Sequence, residues 1–144
     1  MIRSVPQLQL SLVWADDDLH EFVVYASSEY FSGATSVYVA PGDMSKLASR
    51  LSGFPSSRED QREFVLGQTD LAGYGEVQGL LYCRDSTGHV GLHIAMRCGA
   101  SKSGDRPESC AVLLHVVPSD LDRFVEELLA LAAVGGVATL KNAA

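Results

Sequence analysis

The segment 76–98 constrains the fold more than any other part of the chain. Two runs of alternating apolar and polar residues, 76–84 and 89–98, flank Asp85, Ser86, Thr87 and Gly88. A four-residue loop with glycine in its left-handed position joins antiparallel strands. The loop sets a register in which Cys83 faces Val90, Leu81 faces Leu92, Gly79 faces Ile94 and Val77 faces Met96. Slipping by one residue would bring His89, Gly91, His93 and Ala95 into that row and place histidine in the core. The hydrophobic pattern therefore selects the first register and commits the chain to an antiparallel sheet.

Other strands follow from the same two-residue period. In 7–14, Leu8, Leu10, Leu12 and Trp14 share one face. In 19–27, Phe22, Val24 and Ala26 do so, and in 34–40 Val37 and Val39 point inward while Tyr38 points out. A further short strand is expected over 62–68. The stretch 110–117 is apolar on both faces except at His115, which predicts a central strand covered on both sides. The period changes to that of a helix after Pro41, where Met44, Leu47, Ala48 and Leu51 form one stripe, and again after Pro118, where Leu121, Phe124, Val125, Leu128 and Ala132 do. Gly53 and the pair Gly135 and Gly136 stop these helices. Residues 137–144 are expected to fray.

The two strand-to-helix junctions resemble each other. Laid over 116–128 without a gap, 39–51 matches in Val, Pro, Asp and the final Leu, and in character at Met44/Leu121, Lys46/Arg123 and Leu47/Phe124. A duplicated strands–helix unit, 7–54 and 62–134, would produce this. So would a shared preference for Pro and Asp at helix entries. Both readings predict an α+β fold with a mostly antiparallel sheet of six to seven strands and two helices. At 144 residues the chain makes one domain, 1–144, because two cores of half the size would each be marginal.

Eighteen acids against eleven bases give a net charge of −7. That balance argues against nucleic acid and anionic membrane as partners, since both are bound through Lys and Arg. No apolar run reaches the ~18 residues a membrane span requires, and 1–9 lacks the apolar stretch of a secretory signal, so a cytoplasmic location is expected. Cys83, Cys98 and Cys110 form no close-spaced pair and read as reduced, structural thiols.

The sequence carries no recognisable catalytic motif. There is no nucleophile elbow, and Gly73, Tyr74 and Gly75 precede a strand where a phosphate cradle needs a helix N-terminus. Asp16, Asp17 and Asp18 lack the alternation of a calcium loop and read as a solvated turn. No catalytic residue, metal ligand set or cofactor is assigned. The strand face bearing Leu80, Tyr82, His93 and His115 is the best candidate for binding, with Tyr82 across from Gly91. Either it is a binding face or a helix covers it. If the connection after Cys98 closes a meander, His93 and His115 lie on adjacent strands.

The order Phe31-Ser-Gly, the strand Val37-Tyr-Val, Pro41-Gly-Asp-Met, Leu51-Ser-Gly-Phe-Pro55, Arg62-Glu-Phe, Tyr82-Cys-Arg-Asp, Gly88-His and a closing strand–Pro–helix resembles small bacterial proteins, some of them immunity proteins of the WapI type. The resemblance spans nearly the whole chain in layout and carries over no site residues. It implies a toxin-binding protein without catalysis, and the acidic surface suits a basic toxin-like partner. The expected function is therefore non-enzymatic binding through an acidic or mixed sheet face. The alternatives are a small-molecule binder or small enzyme with a sheet–helix pocket around His93, His115 and Tyr82, and a structural homo-oligomer. The second helix is apolar all round after Glu127, so either 137–140 folds across it or a second copy does. In a homodimer Leu129 and Ala130 would make the contact.

Overall fold

The computed structural model describes residues 5–67, 75–98 and 106–141. Eight strands and two helices follow in the order β1 (Gln7–Ala15), β2 (His20–Ser27), β3 (Ser32–Val39), α1 (Asp43–Leu51), β4 (Gln61–Gly67), β5 (Gly75–Cys83), β6 (Val90–Cys98), β7 (Ser109–Val116), α2 (Pro118–Val134) and β8 (Val137–Lys141). The strands form two antiparallel sheets of four, not one sheet of six or seven: sheet A in the order β3-β2-β1-β8 and sheet B in the order β4-β5-β6-β7.

The β5–β6 hairpin has the register read from the sequence, with Cys83, Leu81, Gly79 and Val77 opposite Val90, Leu92, Ile94 and Met96. Its loop is organised by Asp85. One carboxylate oxygen accepts from the Thr87 amide at 2.8 Å and the Thr87 hydroxyl at 2.8 Å, while the other lies 2.6 Å from His89 Nδ1. Gly88, at φ +93°, takes the left-handed position.

The inner faces of both sheets and one face of each helix make a single apolar core that includes Leu8, Phe22, Val37, Leu47, Leu92, Leu114, Phe124 and Leu140. The stripes expected on both helices are buried, apart from the half-buried Ala132, and Leu131 joins the α2 stripe. The two helices pack on each other. Sheet A meets sheet B through β3, which runs across the strands of sheet B at one end. Gly33 touches the Cys110 side chain, the Thr35 hydroxyl lies 3.5 Å from Cys98 Sγ, and Gly67 abuts Val37. Gly75 lies so close to the Thr35 hydroxyl and the Ser36 carbonyl that a Cβ there would overlap both.

The topology divides into two equivalent halves. β1–β2–β3–α1–β4 and β5–β6–β7–α2–β8 each give three consecutive strands, a helix and a fourth strand. The fourth strand leaves its own half. β4 pairs with β5 of sheet B, and β8 pairs with β1 of sheet A. The repeated order of elements thus spans 7–67 and 75–141, so that β4, which lies in the segment 62–134, closes the first unit instead of opening the second. Each fourth strand is covered by the helix before it, through residues at matching positions. Arg50 Nε of α1 donates to the Glu63 carbonyl of β4 at 3.0 Å, and Glu127 of α2 accepts from the Thr139 amide of β8 at 3.4 Å. One backbone group at the edge of each fourth strand is thereby occupied.

Three expectations are corrected. The end of the chain does not fray through 137–141: Ala138 and Leu140 are buried and the segment is a sheet strand. Its apolar alternation was masked by small residues and by glycines on its N-terminal side. β7 is an edge strand of sheet B, not a central one, and Ala111 and Leu113 on its outer face are exposed. Trp14 leaves the Leu8, Leu10 and Leu12 face because a β-bulge lies between Leu12 and Trp14, so Trp14 pairs with Glu21.

Candidate functional site

Sheet B has one face in the core and one facing solvent, as alternation along an antiparallel strand dictates. On the outer face the register builds a grid from residues distant in sequence. One row reads Gln61, Tyr82, Gly91 and His115, and the next Glu63, Leu80, His93 and Leu113. The four residues selected from the sequence, Leu80, Tyr82, His93 and His115, therefore meet on one surface. Leu80 is directly opposite His93, while His115 is one row away from His93, a diagonal neighbour. Among the described residues no helix lies over the outer side of β5, β6 and β7; α1 reaches only the β4 margin. The helix-covered alternative does not hold. Gln78, His93, Ala111 and Leu113 are exposed, and Val65 is 57% exposed.

The centre of this face is built around a missing side chain. The Tyr82 ring lies over Gly91, and a Cβ at Gly91 would overlap it. On the inner face Phe64 covers Gly79 in the same way. Each ring thus fills the space over a bare glycine, and Tyr82 is half-buried in the row between Gln61 and His115. Burial, and then the positive charge of Arg84, push the His115 imidazole below its ordinary range, so it is neutral at physiological pH.

Among the described residues the histidines and Tyr82 line no sheet–helix pocket, because the outer row points away from the face on which the helices lie. The described clefts run elsewhere. One of about 330 Å³ lies between α1 and β4, and another of about 480 Å³ between α2 and β8. A third, of about 200 Å³, contains Thr35, Cys98 and Cys110 where β3 crosses sheet B. None is lined by His93, His115 or Tyr82. Among the described residues no three His, Cys, Asp or Glu side chains converge as metal ligands. The three cysteines are free thiols, and burial with the neighbouring charges of Asp60, Glu59 and Asp85 pushes the Cys83 thiol up, away from reactivity.

On α2, Leu129 is 49% exposed and Ala130 is also exposed. β8 packs against this helix but leaves these two residues uncovered. Among the described residues no helix is long and apolar enough to cross a membrane. One surface escaped the sequence reading, the outer face of sheet A, since the bulge that turns Trp14 onto it has no signature in the alternation of 7–14.

Compared with known proteins, the chain matches no family model, no curated protein and no solved structure. Its function has to be read from its own geometry.

Proposed function

We propose that this is a non-enzymatic binding protein whose contact surface is the outer face of sheet B, centred on Leu80, Tyr82, His93 and His115. One observation supports the reading above others: an uncovered sheet face with aromatic, aliphatic and imidazole groups held in place by backbone register. Rigid aromatic anchors inside a mixed polar surround suit a protein interface. The layout, which resembles that of WapI-type immunity proteins, supports a basic toxin as the partner and the cytoplasm as the place of action. The net charge of −7 favours such an encounter by steering. The equivalent halves support a duplicated unit, and exposed Leu129 and Ala130 support self-association through α2.

Sequencing the flanks of the gene and co-expressing any toxin domain found there tests the reading. Wild-type protein should restore growth, and Tyr82→Ala and His93→Glu should abolish the rescue while keeping the wild-type melting profile. Rescue by both variants would move the site off this face. Absence of rescue by the wild type would overturn the immunity reading.

A further inference from the structure

We propose that the outer face of sheet A is a second binding surface, built to receive a cationic protein segment rich in Arg and Lys. It stands on different residues and does not depend on the role given to sheet B.

The first observation is the bulge. Had β1 kept its alternation, Trp14 would enter the core with Leu8, Leu10 and Leu12. With one extra residue at Val13, Trp14 lies opposite Glu21, and Glu21 lies opposite Tyr38 on β3. The row across three strands is therefore aromatic, carboxylate, aromatic. Trp14 is 48% exposed and Val13 is 53% exposed. Holding the chain's single tryptophan in water forgoes the large apolar burial that indole ordinarily contributes. Bulges that re-aim a side chain in this way are enriched at functional sites.

The second observation is charge segregation. Residues 4–45 contain six Asp or Glu and no Lys or Arg, whereas the rest of the chain is nearly balanced. This stretch supplies three of the four strands of sheet A. Its acids gather at the Trp14 end: the β1–β2 turn holds Asp16, Asp17 and Asp18, all exposed. Asp16 is committed to the turn, accepting from the Asp18 amide at 2.8 Å and the Leu19 amide at 2.7 Å. Asp17, Asp18 and Glu21 have no ion-pair partner among the described residues. Lys141 sits opposite Gln7, and Gln7 is about 23 Å along β1 from Trp14 at the usual rise per strand residue.

An indole beside a carboxylate is the arrangement that selects a guanidinium, which stacks on the ring while its N–H groups meet the oxygens. The flanking aspartates would hold further positive charges of the same segment. An anionic or nucleic-acid partner is repelled by the same surface.

Nona-arginine is the probe, and the emission of Trp14 is the readout, since no other tryptophan contributes. Binding at low salt should change that emission. By anisotropy of the labelled peptide, Trp14→Ala and Glu21→Lys should each weaken binding by about tenfold. Glu126→Lys makes the same charge change at an exposed α2 position and should weaken it less than about threefold. Tyr82→Ala should leave it unchanged. Equal losses for Glu21→Lys and Glu126→Lys would overturn the proposal, because attraction would then be to net charge alone. Loss in Tyr82→Ala, or no binding by a wild type that melts normally, would overturn it equally. All four positions are at least partly exposed, so folding should survive each change.

Discussion

His93 and Leu92 are neighbours in the chain and opposites in environment, which makes them the sharpest test of the register. Leu92 is 1% exposed and packed among core residues, so Leu92→Ala should cost about 2–5 kcal/mol through lost burial and the cavity left behind. His93 projects from the outer face, and His93→Ala should change stability by no more than about 0.5 kcal/mol. Urea denaturation of both variants measures this, and a larger loss at His93 would mean that the faces are reversed. Gly91 carries a second test. A methyl group there must displace the Tyr82 ring, so Gly91→Ala should destabilise the wild type but much less so a Tyr82→Ala background. Additive losses in the double-mutant cycle would show that the ring does not depend on Gly91.

At the scale of elements, the exchange of fourth strands is what joins the halves. β8 completes sheet A beside β1, with Leu140 opposite Leu8 and Ala138 opposite Leu10. Leu140 is 1% exposed although it lies four residues from the last position. Leu140→Asp should therefore unfold sheet A as a destabilised core variant would, not behave as a tail substitution. Hydrogen exchange reads the outcome: lost protection in β1 is expected, and an unchanged pattern would show that β8 is dispensable. On the other half, Arg62 anchors the end of α1 by donating to the Arg50 carbonyl at 3.0 Å and the Ser52 carbonyl at 2.6 Å, while it lies 5.2 Å from the centre of the Phe54 ring. Its ion pair with Asp60 at 2.9 Å turns the strand entrance back towards the helix end.

At the scale of the molecule, titration couples these local devices to stability. The Asp60 carboxyl is held at about 2, chiefly by its hydrogen bond from Arg62 and then by the Ser56 amide. A depressed carboxylate stabilises the fold above its unfolded value of 3.8 and loses that contribution as the pH falls towards 2. His115 works in the same direction at higher pH. Its imidazole resists protonation in the fold, so the unfolded chain binds the proton more readily and stability falls as the pH drops below about 6.5. Urea midpoints should decline as the pH drops below about 6.5, and His115→Gln should remove the first part of that decline, the part that sets in above the carboxylate range. An identical profile for the variant would assign the decline to other groups.

The residues themselves determined everything that depends on local period and pairing. The β5–β6 register, the buried stripes of both helices and the shared face of Leu80, Tyr82, His93 and His115 were legible because a strand alternates every two residues and one slip would bury histidine. The tertiary structure alone decided where each strand was placed. β7 looks central from its apolar residues but sits at an edge, since an outer face can leave Ala111 and Leu113 exposed. Val137–Lys141 is too short to declare itself and becomes a strand only because β1 offers an open edge and α2 covers its far side through Glu127. Trp14 was assigned inward by its period, and the bulge that turned it outward is set by pairing with β2. Periodicity is a property of the chain, whereas which edge accepts a strand depends on surfaces that exist only after the two halves have packed.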